Sequence, residues 1–543
     1  MKKIFFSVAL AATMLTACSD AYEIEQPGIV TEEAAVFRTP ADIGKGIRTI
    51  YGLFPRETEI SFTSFFTDEL GIGKNNSGQG VNDGSYTFLL QAGTGAPQAI
   101  WGGYYGSVNR LNRIEHRILE MLETASNADK RLLNRHLAHV YGLRAFCHYK
   151  LFSFFTPDYT NPDGLSVIKF HFLQTDDYNN FVERSTVKEI VEFIESDIQK
   201  VRNLGGVDDQ GLGSGYASMP FIESIVIKLN AMLQTDQSYA KLEDAFNRLM
   251  NPPAIDPNDP DAISIPPKYL DGAELETIFT ATPFDGGEAI FKLNRTSTDG
   301  GTTSGIGLSW HSARFGEGAY MEMGRSLYNE LDKLDPSQQG AVYDSIRKDG
   351  RYRLTVHGNS KVAPNYASMG AEEYRDEDLL FIGKYPGDIP NRPLMANLWE
   401  FRFTDMLLAL AEKRAHEGNL TGNVAVDDYS NVESIIFNIR ASRNFEDPYG
   451  GIPVTMPTDF SSKQAAFARI LEERRVEFAF EGHRYLDMKR LGTRAGSPGF
   501  VRDPQDCLST GACSLDPTSH RLTMPIPRSE MIANPRMVQN PGY

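Results

Sequence analysis

The densest chemistry in the chain lies between positions 472 and 490, where Glu472, Glu473, Arg474, Arg475, Glu477, Glu481, Arg484, Asp487, Lys489 and Arg490 follow closely. Paired carboxylates are the working parts of glycoside hydrolysis, one as acid and the other as nucleophile or base across the sugar. Glu473 and Glu477, like Glu477 and Glu481, stand four residues apart on one helix face. Two carboxylates fixed to one rigid helix cannot flank a sugar from opposite sides. Alternating charges at three- and four-residue spacing form intrahelical and interhelical pairs instead, so the segment reads as structural. Gly482 interrupts it and allows a close approach or a bend.

Other groups with metal or phosphate chemistry fail on spacing. His136, His139 and His148 lack the His-Glu-x-x-His arrangement and fall in an amphipathic stripe, which makes them helix-surface histidines. The run Asp256-Pro-Asn-Asp-Pro-Asp261 offers oxygen ligands without the glycine and terminal glutamate of an EF-hand loop, and reads as a solvated acidic loop. Gly211-Leu-Gly-Ser-Gly215 completes no phosphate loop, and no Gly-x-Ser-x-Gly elbow occurs. No catalytic residue, cofactor or metal is expected.

Aromatic rings in loops carry a different chemistry, because a flat ring stacks on the apolar face of a sugar while amides and carboxylates take its hydroxyls. The chain has three tryptophans. Trp399 falls in an apolar-periodic stretch and reads as core. Trp101 ends the glycine-rich stretch 71–100, just before Tyr104, Tyr105 and Asn109, and either faces a ligand or anchors the first long helix. Trp310, in Gly305-Ile-Gly-Leu-Ser-Trp-His-Ser-Ala-Arg314 with Tyr320 close behind, is the foremost ligand candidate. Asn82, Asp83 and Tyr86 in the first long loop are the expected polar partners.

Helices must position these loops. Val108, Leu111, Ile114, Ile118, Leu119 and Leu122 form one stripe over 108–124, and a second helix is predicted over 130–155, ended near Pro157. Thr186 to Val201 starts with a capping-box candidate, Ser185 or Thr186 with Glu189. Stripes through Ile222–Leu233 and Tyr239–Leu249 flank the turn Gln234-Thr-Asp-Gln-Ser238 and have the grammar of a degenerate tetratricopeptide-like unit. Further helices are predicted over 394–416, 432–442 and 463 to about 491. Segments 61–107, 157–182, 251–320 and 350–393, rich in Gly, Pro, Asn, Asp and Thr, read as large irregular insertions.

The first residues say where the protein works. Lys2 and Lys3, an apolar run Ile4–Leu15 and the small residues before Cys18 make a secretory signal, too short to span a bilayer. The run Leu15-Thr16-Ala17-Cys18 resembles a bacterial lipoprotein signal, which implies cleavage after residue 17 and acylation of Cys18 by chains such as palmitate. Residues 18–40, acidic and aperiodic, read as a tether, and 41–543 as the folded body. Charged residues at 23% and apolar residues at 41% are ordinary for a globular chain, while a net charge of −17 argues against nucleic acid as a partner. Cys507 and Cys513 enclose a short loop and are expected to pair in an exported protein, while Cys147 reads as a buried free thiol.

The run Leu471-Glu-Glu-Arg-Arg-Val-Glu-Phe-Ala-Phe-Glu-Gly-His-Arg-Tyr-Leu-Asp-Met-Lys-Arg-Leu-Gly492 resembles the C-terminal signature of the SusD/RagB family of surface lipoproteins. The ending Met524-Pro-Ile-Pro-Arg…Gln539-Asn-Pro-Gly-Tyr543 is similar to that family's usual ending, and Trp399–Glu412, Asn438–Arg443 and the run from Tyr141 to Tyr149 match more weakly. The resemblance implies a mainly α fold: an α-superhelix of tetratricopeptide-like helix pairs carrying long irregular loops. It further implies a non-catalytic lipoprotein on the extracellular side of the outer membrane. Such a protein captures an oligosaccharide, or in some members a peptide, and acts as the lid of a SusC-like TonB-dependent transporter. A surface glycoside hydrolase is the competing class, and would need two carboxylates converging across a cleft.

Overall fold

The computed structural model describes residues 36–171, 181–207, 215–251, 275, 278–279, 287–294, 306, 318–341, 347–385, 387–388, 392–393, 397–444 and 455–543. The signal 1–17, Cys18, Trp310, the acidic loop 256–261 and residues 211–214 lie outside them. The described chain is mainly helical, in the order α1 (Pro40–Tyr51), α2 (Arg56–Phe65), α3 (Gly95–Thr124), α4 (Asn127–Phe155), α5 (Val187–Asn203), α6 (Met219–Leu233) and α7 (Asp236–Met250). There follow α8 (Arg325–Asp332), α9 (Gly350–Thr355), α10 (Ala371–Glu377), α11 (Phe403–Glu417), α12 (Val432–Ser442), α13 (Lys463–Glu477) and α14 (Arg484–Leu491).

Pairs joined by two-residue turns build the superhelix: α3 packs on α4 across Ala125-Ser126, and α6 on α7 across Gln234-Thr235. Capping sets where they start. Thr186 and Glu189 exchange both bonds of a capping box at α5, and Thr235 caps α7 in the same way with Ser238. Every residue of α4 from Val140 to Phe155 is buried, which explains why its apolar spacing mixes threes, fours and ones: a helix packed on all sides needs no polar face.

Three predicted boundaries are corrected. Helix α3 begins at Gly95, not 108, because Trp101 and Tyr104 bury themselves in the core and Gly103 lets Pro55 approach; packing overrides the weak helix propensity of Gly102, Gly103 and Gly106. Residues 398–402 are strand rather than helix. That strand, β6 (Leu398–Arg402), pairs antiparallel with β2 (Ala289–Leu293) and is buried throughout, with Trp399 Nε1 donating to the Ile278 carbonyl at 3.0 Å. The signature segment is two helices, α13 and α14, divided at Phe480 and Gly482, whose φ values are 63° and 82°.

The remaining sheets are also two-stranded and antiparallel: β1 (Leu70–Ile72) with β3 (Met321–Met323), β4 (Gly387–Asp388) with β5 (Arg392–Pro393), and β7 (Phe500–Val501) with β8 (Ser514–Leu515). The chain end closes over α4. Met524 N donates to the Phe154 carbonyl at 2.9 Å, and Asn540 Nδ2 donates to the Phe155 and Met524 carbonyls at 2.9 and 2.7 Å. The C-terminal asparagine therefore takes up a carbonyl left free where α4 ends.

Candidate functional site

Most charges of the signature segment are buried inside the scaffold, with Glu472 exposed and Arg475 and Lys489 partly so. Glu477 is 2% exposed and accepts from Arg402 at 3.0 Å and Arg443 at 2.8 Å, while Glu481 accepts from both arms of Arg402 and from Lys384. Glu473 is held by Arg351 and Arg440, and Arg474 reaches Asp405 at 2.7 Å. Burial pushes the Glu477 carboxyl up, but Arg443 and Arg402 outweigh it and hold it well below the usual carboxylate range. The same contest, decided by Arg440 and Arg351, lowers Glu473. Carboxylates neutralised in this way knit α9, α11, α12, α13 and β6 together and face no substrate. The pairing matches the sequence reading; its depth does not follow from helix spacing alone.

Around this frame, β1 and β3 carry a loop surface. Gly73 N donates to the Tyr320 carbonyl at 3.2 Å and Asn75 N to the Ala319 carbonyl at 3.1 Å, while Asn76 Nδ2 donates to the Tyr320 carbonyl at 2.8 Å. Gly78 N returns a bond to Asn76 Oδ1 at 2.7 Å, and Asn82 N donates to the Gly78 carbonyl at 2.9 Å. Gly78 takes φ 108°, and a Cβ there would meet Asn82 Nδ2 at 2.1 Å, so only glycine lets Asn82 fold back over the turn. The outcome is a polar surface, the shelf, with Lys74, Asn75, Ser77, Asn82 and Asp83 exposed and Asn76, Gln79 and Tyr320 half-buried. Asp83 Oδ1 accepts from Ser85 N at 2.8 Å, which fixes its direction.

Buried carboxyls brace the shelf from below. Glu322 accepts from Lys74 N at 3.2 Å and Leu380 N at 3.1 Å, and burial pushes it up to about 8 against those two donors. Asp506 accepts from Arg325 N at 2.8 Å and Tyr374 at 2.9 Å, and burial raises it to about 7. The next residue, Cys507, is bonded to Cys513 with their Cα atoms 5.2 Å apart, so the expected disulfide anchors this brace.

Of the residues named from sequence, Asn82 and Asp83 are exposed on the 73–83 loop and the half-buried Tyr320 is joined to that loop through its carbonyl, while Trp310 lies outside the described residues. Tyr86 and Trp101 do not join them. Tyr86 is fully buried, with its hydroxyl on the Asp506 carbonyl at 2.8 Å and Arg502 over its ring at 3.8 Å. Trp101 is 4% exposed, wedged against Tyr105 and Phe155 with Nε1 on Glu530 at 3.2 Å, and thus anchors the helix. His148 is corrected too: it is fully buried, not on a helix surface, its Nδ1 lies 2.9 Å from the Arg144 carbonyl, and burial lowers its pKa to about 4. Trp399 and the free thiol of Cys147 are buried as expected. Among the described residues no three His, Cys, Asp or Glu side chains converge to hold a metal ion. Sequence reading missed Asn75, Asn76 and Gln79; the Asn-Asn-Ser-Gly run at 75–78 is an amide-rich turn and could have signalled them.

A helical superhelix carrying a braced polar shelf defines the class: a scaffold that presents loops. Comparison makes the class specific. The SusD family model matches residues 359–543, the part that holds the signature segment and the chain end. A SusD superfamily protein from Bacteroides thetaiotaomicron has a similar structure, with TM-score 0.67 at 20% identity over 93% of this chain and 100% of that one. One from Parabacteroides distasonis gives 0.64 at 18% over 93% and 98%, and a laminarin-binding SusD-like protein 0.60 at 17% over 93% and 100%. No curated protein matches. The C-terminal third of the chain thus carries the SusD family pattern, and the fold is that of the SusD superfamily, as the signature segment led one to expect.

Proposed function

We propose that the protein is a non-catalytic glycan-binding lipoprotein of the outer-membrane surface, which passes oligosaccharides to a SusC-like TonB-dependent transporter as its lid. The observation that carries the reading is the shelf. The exposed amide of Asn82 and the fixed carboxylate of Asp83 offer hydroxyl partners to a sugar, with Asn75, whose Nδ2 donates to the Gly318 carbonyl at 2.9 Å, and the half-buried Tyr320 beside them. An exposed polar surface suits capture followed by release. The laminarin-binding relative, similar in fold, is a precedent for a glycan on this scaffold. Acyl chains on Cys18, at ~0.8 kcal/mol per buried methylene, would hold the protein at the membrane without a spanning helix.

The carboxylates that invited a hydrolase reading are committed to arginines inside the scaffold, which supports binding without turnover. Calorimetric titration of the purified protein with an oligosaccharide panel tests the reading. Asn82→Ala and Tyr320→Ala are each expected to weaken the bound oligosaccharide roughly three- to tenfold, the worth of one hydrogen bond or one ring contact. Trp310→Ala tests the ring that sequence position favours. Unchanged affinity in both Asn82→Ala and Tyr320→Ala would refute the shelf, and cleavage of the sugar during titration would refute the non-catalytic role. Recovery of a barrel transporter with the protein from solubilised outer membranes checks the partner.

A further inference from the structure

A cleft of about 470 Å³, within the usual size range of small-ligand sites, opens between the end of α8, the flank of α13, the loop 455–457 and the turn 495–499. Its charged lining is Lys333, Arg440, Arg469, Arg475 and Arg484 against Asp68, Glu330 and Glu472, with Lys333 paired to Glu330 and Arg440 to Glu473 behind the wall, each at 2.7 Å, so the local excess of positive charge falls on Arg475 and Arg484. Among the described residues no aromatic side chain lines it, so they offer a neutral sugar no stacking platform there. The acids do not serve the bases evenly. Arg484 forks both oxygens of Asp68 at 2.8 Å, and Arg475 must share that same carboxylate at 3.3 Å, adding only the Asp68 carbonyl and the Ser326 hydroxyl. Arg469 meets, among the described residues, the half-exposed Glu472 at 2.7 Å. The Nε atoms of both Arg469 and Arg475 are buried without a hydrogen-bond partner among the described residues.

We propose that this cleft is a second binding site, taking the carboxylate of an anionic sugar unit, a uronate, on the guanidinium groups of Arg469 and Arg475 with Lys333 at the rim. A guanidinium offers a planar fork to a carboxylate, and the half-walled setting weakens solvent screening of the pair. Burial lowers the Arg475 pKa and the neighbouring Arg484 opposes its charge, with Asp68 as the counterweight, so an added anion relieves a cation that is only partly compensated. The glycan reading enters only in making the ligand a sugar; recognition of the carboxylate stands on the cleft.

The test is calorimetric titration of the purified protein, at low and at physiological salt, with digalacturonate and with the neutral disaccharide galactobiose. Digalacturonate is expected to bind, more tightly at low salt, with Arg469→Gln at least tenfold weaker and Glu472→Gln tighter, while galactobiose gives no comparable binding. Both substitutions fall on the half-exposed side of α13, and thermal melting confirms that each variant folds. Asn82→Ala is expected to leave digalacturonate affinity unchanged, which separates this site from the shelf: loss of shelf binding in other titrations does not alter the cleft result. The proposal is overturned if digalacturonate does not bind, if galactobiose binds equally well, if Arg469→Gln and Glu472→Gln have no effect, or if Asn82→Ala abolishes binding.

Discussion

Between Arg402 and Arg443, with Glu288 forking the same Arg443, the Glu477 carboxylate neutralises cations that have no access to water. Glu477→Gln leaves those guanidinium groups short of a partner, and the expected cost is about 3–5 kcal/mol, read as a lower urea midpoint. The carboxyls beneath the shelf behave in the opposite sense. Burial raises Glu322 to about 8 and Asp506 to about 7 there, and raises Glu69, which accepts from Ser64 and from Phe480 N within the scaffold, to about 7, all above their unfolded values of roughly 4. Their contribution to stability is complete below about pH 4 and is lost as pH rises through 7 and 8. Stability should therefore decline from about pH 5 to about pH 8 and level off above, and Glu322→Gln should make that decline shallower, at a cost because its amide places a donor opposite one backbone N–H. Urea titrations at each pH measure both slopes. Lowered carboxyls such as Glu473 and Asp405 work the other way, giving stability above the unfolded value that is lost as pH falls through the folded one.

At the scale of elements, the break between α13 and α14 lets Phe480 N donate to Glu69 at 3.0 Å and carries the chain past α2. Gly482 holds φ 82°, and a Cβ there would stand 3.1 Å from Arg56 Nη1 and 3.3 Å from Ile60 Cγ1. Gly482→Ala is expected to cost about 1–2 kcal/mol from the left-handed backbone alone, measurable by thermal or urea unfolding. Most helices were legible because amphipathic stripes and caps are local: α12 runs over the predicted 432–442, and α5 starts at the Thr186 cap. Positions 95–107 and 398–402 were not, since a glycine-rich helix and a fully buried strand take their form from tertiary partners such as Pro55, β2 and the Ile278 carbonyl.

For the whole molecule, early and late segments converge on the same core: α2 grips β6 through Arg56, which donates to the Trp399 carbonyl, and Asn540 caps α4. Family resemblance in the signature segment and the chain end foretold this architecture; the residues of the proposed shelf were legible only in part. Asn82, Asp83 and Tyr320 reach the surface as loop polarity suggests, whereas Tyr86 and Trp101 are drawn inside by partners more than 400 positions away, Asp506 and Glu530, which no local pattern reveals. Hydrogen–deuterium exchange with and without a bound oligosaccharide tests the central claim most directly. The account predicts slower exchange at 73–83 and 318–321, with the α13–α14 segment unchanged by a neutral glycan. Saturable binding that protects other surfaces and leaves the shelf untouched would contradict it.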